Sequence, residues 1–168
     1  MIIKASVNDC NNLLYRIIEV KNDLSLCDLA YYVLSAFDVE EYYDFYFEKD
    51  QMEYPYDYSA MAIDFLPCKL VYDFEDQFEI ELEIEDRITS SFNRLLGGRG
   101  YGLWLGMHEF MDLFYASFEE FSTYCKENEV GLESFPIDLD FDFETTDLMF
   151  EENYLMIKDV YEDDGFEG

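Results

Sequence analysis

The residues best able to do chemistry in this sequence are carboxylates, which occur in two regularly alternating rows. Each row sets acidic residues against apolar ones at every second position, the spacing of a β-strand with one solvent face and one core face. The acidic positions are Glu79, Glu81, Glu83 and Glu85, then Asp138, Asp140, Asp142 and Glu144. Successive carboxylates on such a strand lie about 6–7 Å apart, a separation of the same order as that between successive phosphates of a nucleic-acid strand.

The charge of the whole chain is a second chemical signal. The sequence has 40 Asp and Glu against 10 Lys and Arg, for a formal net charge of -30 over 168 residues. A magnitude of about 2 to 8 suffices to keep a small domain soluble, so solubility alone does not account for this charge. Such a surface repels nucleic acid and anionic lipid and attracts basic proteins. We therefore expect a basic nucleic-acid-binding protein as partner, with no direct nucleic-acid contact and no membrane association.

Ordered carboxylate rows of this spacing predict a nucleic-acid mimic. They would occupy a groove lined by Lys and Arg and displace its nucleic acid through the electrostatics that normally favour phosphate. The expected protein is an inhibitor from a phage or other mobile element that blocks a host defence protein, such as a CRISPR effector or a restriction enzyme. Tyr54, Tyr56 and Tyr58 are expected to be exposed and to act as interface anchors. A solvated sheet face explains each row separately, and a non-enzymatic interaction or accessory module is the alternative function.

The sequence gives less support to a metal site, a phosphate site or a catalytic nucleophile. Alternating aspartates suit calcium, but Phe143 stands where an EF-hand loop has its glycine. The glycine-rich residues 97–106, with Arg94 and Arg99, suit an anion, yet they lack the G-K-[ST] ending of a P-loop. His108 is the only histidine, and no G-x-S-x-G elbow accompanies it. We therefore expect no metal, no cofactor and no catalytic residue.

The elements that must position these residues follow from apolar periodicity. Strands are predicted at 2–7, 14–21, 42–47, 70–74, 78–84 and 137–144, and helices at 25–37, at 107–125 and from Thr145 or Thr146 to about Tyr161. Ser25 is predicted to cap the first helix. Residues 97–106 are predicted as a loop, because five glycines in ten residues disfavour regular structure. The expected fold class is α+β, an antiparallel sheet of about five to six strands packed with two or three helices.

The organisation and surroundings of the chain follow from its length and cysteines. Residues 1–161 are expected to form a single acidic domain, and residues 162–168 a frayed acidic tail. The cysteines, Cys10, Cys27, Cys68 and Cys125, form no C-x-x-C pair and are expected to be reduced and mostly buried. No apolar run approaches the length of a membrane span, so we expect a cytoplasmic protein. A homodimer formed through aromatic surface is left open.

Four segments, in this order, resemble the plasmid pRiA-type ORF-three-like family over most of residues 1–130. The first is the opening strand pair with Arg16, and the second is 25–37, similar to the family's T-L-x-x-L-H-x-x-I-x-x-A-F helix. The third is 72–79, Y-D-F-E-D-Q-F-E, similar to the family's Y-D-F-G-D-x-W-E-H strand turn. The fourth is 95–100, L-L-G-G-R-G, leading to Gly106 and a helix.

The sequence also departs from the family pattern. Glu75 stands where the family has Gly, Phe78 where it has Trp and Ile80 where it has His, and the family's Pro-Glu-Asp cluster after the glycines is missing. The family's members are often carried on plasmids, transposons and phages, and the family as a whole has no established biochemical role. The resemblance therefore implies a fold rather than an activity.

Overall fold

One antiparallel sheet organises the described part of the chain. The computed structural model describes residues 1–8, 14–39, 42–72, 78–100, 102–103, 118–127 and 141–162. Within them lie seven strands: β1 Ile2–Val7, β2 Tyr15–Glu19, β3 Phe45–Lys49, β4 Met52–Pro55, β5 Cys68–Tyr72, β6 Phe78–Asp86 and β7 Arg94–Arg99. Their order across the sheet is β4-β3-β5-β6-β1-β2-β7, so β6 lies near the middle and β4 and β7 lie at the ends. The predicted hairpins β1–β2 and β5–β6 are both confirmed.

Four helices occur in the same described ranges: α1 Leu26–Ala36, α2 Ala62–Phe65, α3 Phe118–Glu127 and α4 Phe143–Glu162. The predicted cap of α1 is confirmed, since the Ser25 hydroxyl oxygen accepts a hydrogen bond from the Asp28 backbone N–H at 2.9 Å. That cap satisfies one of the donors that the first helical turn leaves unpaired. None of the described helices has the length and apolar character needed to cross a bilayer.

The core lies between one face of the sheet and the helices. Alternate strand residues such as Ile3, Phe47 and Leu82 are fully buried and join the α1 side chains in one apolar cluster. Tyr31 of α1 meets Phe45 of β3 edge to face, with ring centroids 6.2 Å apart. Alternation along each strand therefore leaves the opposite sheet face turned away from this core.

Helix α4 packs on α1 and completes the same core. Tyr154 stacks on Tyr32 with ring centroids 3.8 Å apart, and Tyr161 stacks on Tyr31 at 5.6 Å. The Ser35 hydroxyl donates a buried hydrogen bond of 2.6 Å to the Phe150 carbonyl. Burial of each such aromatic side chain contributes roughly 1.5–3 kcal/mol before its ordering cost, so α4 is part of the same domain core.

The α+β single-domain class is confirmed, but the strand and helix counts were predicted too low. The described residues hold seven strands and four helices where five to six and two to three were expected. The two strands missed are β4 and β7, which stand at the two ends of the sheet order. At such a position a strand needs one partner only, so a Pro55 or paired glycines are tolerated there.

The glycine-rich residues 97–98 illustrate the correction, because they lie in β7 and not in the predicted loop. Gly98 pairs with Arg16 of β2. A Cβ atom on Gly98 would lie 2.7 Å from the Tyr15 carbonyl oxygen and 2.8 Å from the Arg16 Cδ. Glycine is therefore required by a close approach of two strands rather than by a turn.

Arg16 explains that close approach. Its side chain is fully buried, and its Nε donates to the Ala36 carbonyl at 2.7 Å while one Nη donates to the Tyr15 and Arg99 carbonyls at 3.0 and 2.9 Å. The guanidinium also lies 4.2 Å from the ring centroid of Phe141. One buried cation thus joins β2, the end of α1, the end of β7 and the segment before α4.

Candidate protein-binding face

The first predicted carboxylate row lies on β6, as expected. Phe78, Ile80 and Leu82 are buried on the core side, and the glutamates that alternate with them emerge on the other side. Glu79 is half-buried, whereas Glu81 and Glu83 are exposed. We call the sheet face that carries these glutamates, opposite the helices, the outer face. The row Glu79, Glu81 and Glu83 has the regular strand spacing of about 6–7 Å.

The fourth member of the row, Glu85, is out of step with the other three. Ile3 of β1 pairs with Ile84 and Ile2 pairs with Asp86, so Glu85 has no opposite residue on β1. An extra residue of this kind is a β-bulge, which bends the strand and re-aims side chains. Glu85 is exposed, but the regular row ends at Glu83.

Cross-strand pairing adds carboxylates that sequence spacing did not reveal. Glu81 pairs with Lys69 of β5, Lys69 with Glu48 of β3, and Glu48 with Glu53 of β4. Neighbouring strands lie about 4.8 Å apart, so these side chains form a second line that crosses the first at Glu81. Glu48 and Glu53 belong to one hairpin, but only strand register brings them to Lys69 and Glu81, which lie further along the chain.

Lys69 is the counter-charge inside this cluster. Its Nζ lies 2.8 Å from a Glu79 carboxylate oxygen and 3.8 Å from one of Glu48. The hydrogen bond to Glu79 raises the pKa of Lys69, with Glu79, Glu48 and Glu81 adding to the effect. The same hydrogen bond, together with one from the Asn8 amide, lowers the pKa of Glu79. Glu79 is therefore neutralised within the molecule, and Glu81 and Glu83 are the row members presented to solvent.

The outer face carries net negative potential in spite of Lys69. Tyr46, on β3 beside Glu48, has a raised pKa because of partial burial and because of the nearby Glu53, Glu48 and Glu79 carboxylates. Below this cluster an open depression of about 260 Å³ is lined by acidic and basic residues of β5, β6 and the end of β3, namely Glu48, Lys49, Asp50, Lys69, Glu81 and Glu83. The arrangement suits a cationic side chain entering from a partner protein.

The second predicted row is wrong where the structure describes it. Asp142 precedes α4 as its cap: its carboxylate accepts from the Thr145 backbone N–H at 3.1 Å and from the Thr145 hydroxyl at 2.8 Å. These hydrogen bonds lower the pKa of Asp142. Glu144 lies in the first turn of α4, not on a strand, where a negative charge complements the helix dipole. Asp138 and Asp140 lie outside the described residues.

The three tyrosines are mostly packed, not exposed anchors. Tyr54 and Tyr56 are half-buried, and only Tyr58 is exposed, at 39%. Tyr54 meets Phe65 of α2 edge to face at 5.0 Å, and Tyr58 lies 5.5 Å from the same ring. Tyr56 packs on Phe45 and Tyr161. The expectation of three exposed anchors is therefore corrected to one.

The residues considered for anion, nucleophile or metal sites form structural contacts, are buried, or lie outside the described residues. Arg94 pairs with Glu19 at 2.6 Å, and His108 lies outside the described residues. Burial raises the pKa of the Cys27 thiol to about 11 and that of Cys68 to about 12, so neither is a ready nucleophile at neutral pH. Among the residues that the structure describes, no three His, Cys, Asp or Glu side chains are grouped to hold a metal ion.

Comparison with known proteins identifies the fold only. No protein-family model matches the chain, and no curated protein matches it in sequence. The fold is similar to the crystal structure of MM3350, a protein of unknown function from Methanosarcina mazei Go1, with a TM-score of 0.59 and 16% identity. The match covers 86% of this chain and 95% of that one. At this identity the likeness extends to the architecture alone, so function must be argued from the outer face itself.

Proposed function

We propose that this protein is an acidic inhibitor that imitates nucleic acid and blocks a basic nucleic-acid-binding protein. The observation that carries the proposal is the regular exposed row on β6, with Glu81 and Glu83 turned to solvent from a strand near the middle of a seven-stranded sheet. A CRISPR effector or a restriction enzyme is the proposed target class, and a phage or other mobile element is the proposed source. No catalysis is proposed.

Preorganisation supports this role. β6 is hydrogen-bonded to β5 on one side and to β1 on the other, so the backbone that carries the row is fixed before any partner arrives. A binding surface that is already ordered avoids the entropy cost of immobilising a flexible segment. The row therefore presents its charges at constant spacing, as a polynucleotide presents phosphates to a groove.

Charge density supports it as well. Glu48, Glu53, Glu81 and Glu83 converge on the outer face around the ammonium groups of Lys69 and of Lys4, which pairs with Glu83 from β1, on a chain whose net charge is -30. Charged clefts and faces of one sign raise encounter rates with oppositely charged partners, and that gain falls steeply with ionic strength. The partner groove should be lined by Lys and Arg, the residues that bind phosphate.

A competition assay tests the proposal. A purified CRISPR effector complex and a restriction enzyme are each given fluorescently labelled DNA, and DNA binding is followed by anisotropy as this protein is added. We expect displacement of the DNA from at least one of them, weakening from about 50 mM to about 500 mM NaCl as the charges are screened. Inhibition that is indifferent to salt, or no displacement from either target, would contradict mimicry.

A matched pair of variants locates the surface. Glu81→Lys with Glu83→Lys reverses two charges on the outer face, whereas Glu119→Lys with Glu127→Lys makes the same net charge change at exposed positions of α3. We expect the first pair to abolish displacement and the second to reduce it only slightly. Equal loss in both pairs would mean that total charge, and not the ordered row, is responsible.

The alternative is an interaction module that binds a basic protein without displacing its nucleic acid. The observation that favours it is the shortness of the regular row, since Glu79 is neutralised by Lys69 and the second predicted row is absent from residues 141–144. The competition assay separates the two functions, because a module would bind the basic protein while the DNA stays bound. Membership of the plasmid pRiA-type ORF-three-like family stays a prediction.

A further inference from the structure

Helix α4 exposes apolar side chains on the face opposite the one that it buries. Its buried face includes Phe150, Tyr154, Ile157 and Tyr161. On the other side Leu148 is 79% exposed, Leu155 57% and Met156 46%. Leu148 and Leu155 are seven residues apart, so they lie about two turns, or 10.5 Å, from each other on one side of the helix.

Carboxylates surround both leucines. The helix neighbours of a residue are those three and four positions away. For Leu148 these include Glu144, Glu151 and Glu152, and for Leu155 they include Glu151, Glu152 and Asp159. All four acidic residues are exposed. We call Glu144, Leu148, Glu151, Glu152, Leu155 and Asp159 the α4 face.

The basic residue nearest to Leu155 is held away from this face. Lys158 donates to an Asp28 carboxylate oxygen at 2.7 Å, which raises the pKa of Lys158. That ion pair joins α4 to α1 beside the Tyr32–Tyr154 stack. Lys158 thus serves the helix-to-helix contact and leaves the carboxylates of the α4 face without compensation from this residue.

A further apolar side chain lies in a loop that reaches the same helix. Phe92 is 67% exposed. The next residue, Asn93, donates from its side-chain amide to the Tyr32 hydroxyl oxygen at 2.8 Å, and that hydroxyl also contacts the Glu151 carboxylate at 3.4 Å. The loop before β7 is thereby fixed to Tyr32 of α1, whose hydroxyl also contacts Glu151 of the α4 face.

We infer that the α4 face is a docking surface for a basic amphipathic helix of a partner protein. Leucines spaced by two turns fit the apolar anchors of such a helix, in the manner of helix-in-groove recognition, and the flanking carboxylates fit Lys and Arg on either side of those anchors. A second copy of this chain is a poor occupant, because it would bring two sets of carboxylates together. The α4 face lies on the helical layer and not on the outer face, so both surfaces can be occupied at once.

The test uses a labelled fourteen-residue probe peptide, built of Leu and Lys with the leucines at helical spacing. A control peptide of the same composition alternates Leu and Lys, the spacing of a strand. Binding of each to the full chain is measured by fluorescence anisotropy. We expect the helical peptide to bind at least about tenfold more tightly. Equal affinity of the two peptides would mean that charge alone drives binding, and it would overturn the inference.

Variants assign the binding to the α4 face. Leu148→Ser with Leu155→Ser should weaken binding of the helical peptide at least about tenfold, and Glu152→Lys with Asp159→Lys should weaken it further. Because these side chains are exposed, circular dichroism should show unchanged folding. Glu81→Lys with Glu83→Lys should retain the preference for the helical peptide, which keeps this result separate from the outer face.

Two further outcomes would refute the inference. The first is unchanged peptide affinity in the Leu148→Ser, Leu155→Ser variant. The second is a dimer in sedimentation equilibrium that the same variant converts to monomer, because a second copy would then be the occupant of the α4 face. A monomeric wild-type chain that loses the helical peptide when its leucines are replaced supports the inference.

Discussion

Replacing Arg16 by Met should destabilise the fold more than any change of a surface charge. The guanidinium is fully buried and donates to three backbone carbonyls, those of Ala36, Tyr15 and Arg99. A buried acceptor left without its donor costs about 1–3 kcal/mol. Because Arg16→Met removes the donor to three carbonyls at once, we expect the free energy of unfolding to fall by about 3 kcal/mol or more.

The assay is equilibrium urea unfolding followed by far-ultraviolet circular dichroism. Arg87→Met is the matched control, because Arg87 is exposed and its replacement makes the same change in net charge and side-chain type. Its effect should stay within about 0.5 kcal/mol. Arg16→Lys should be intermediate, since one ammonium replaces a planar group that donates from two nitrogens. Equal midpoints for Arg16→Met and Arg87→Met would refute the reasoning.

The remaining predictions concern packing, capping and pH. Gly98→Ala should lower stability by about 1–3 kcal/mol through overpacking, while Gly97→Ala, whose Cβ would meet nothing within 4 Å, should lower it less; thermal melts compare the two. Asp142→Ala should lower the melting temperature and Asp142→Asn should largely restore it, because Asn also caps helices. Burial opposes the ionised form of Asp28, but hydrogen bonds from Lys158 and neighbours outweigh it and lower its pKa. The ionised Asp28 therefore contributes its full stabilisation above about pH 4, the pKa of Asp in the unfolded chain. That contribution is lost as the pH falls through the lower pKa of the folded state. The urea midpoints of wild type and Asp28→Asn should therefore converge on acidification.

Elements with one strong local period were predictable from the sequence. Phe78, Ile80 and Leu82 alternate with glutamates along β6, and Leu26 to Phe37 repeat at helical spacing after a serine cap. In both places the apolar period and the buried face agree. The end strands were not predictable in this way, because Pro55 and the paired glycines of β7 oppose strand formation locally. Pairing with a neighbouring strand overrides that preference.

The tail shows how two patterns can coincide over a few residues. Phe141 and Phe143 alternate with Asp142 and Glu144, which fits a strand, yet an aspartate before a helical run also fits an N-cap. The helical period continues through Phe150, Tyr154, Ile157 and Tyr161, and this longer repeat determines the structure. The N-cap of α4 is therefore Asp142, three residues before Thr145, the first of the two residues predicted to cap this helix.

The candidate site was predictable only along single strands. The row on β6 follows from spacing within one segment, whereas the approach of Glu48, Glu53 and Lys69 to Glu81 depends on register across four strands. Likewise, tyrosines at positions 54, 56 and 58 look alike in sequence, but Tyr54 and Tyr56 are half-buried, whereas Tyr58, beside the same Phe65 ring as Tyr54, stays exposed. Such long-range contacts leave no local trace in the sequence.

The position of α4 in the core has a consequence for biosynthesis. Tyr31 and Tyr32 of α1 are made early in translation, but the rings that cover them, Tyr161 and Tyr154, are made more than a hundred residues later. Until α4 is synthesised, a nascent chain must carry uncovered aromatic surface, the kind of surface that chaperones retain and that favours aggregation. High like charge would keep such unfinished chains apart on a polysome, so the acidity of the chain would protect its synthesis.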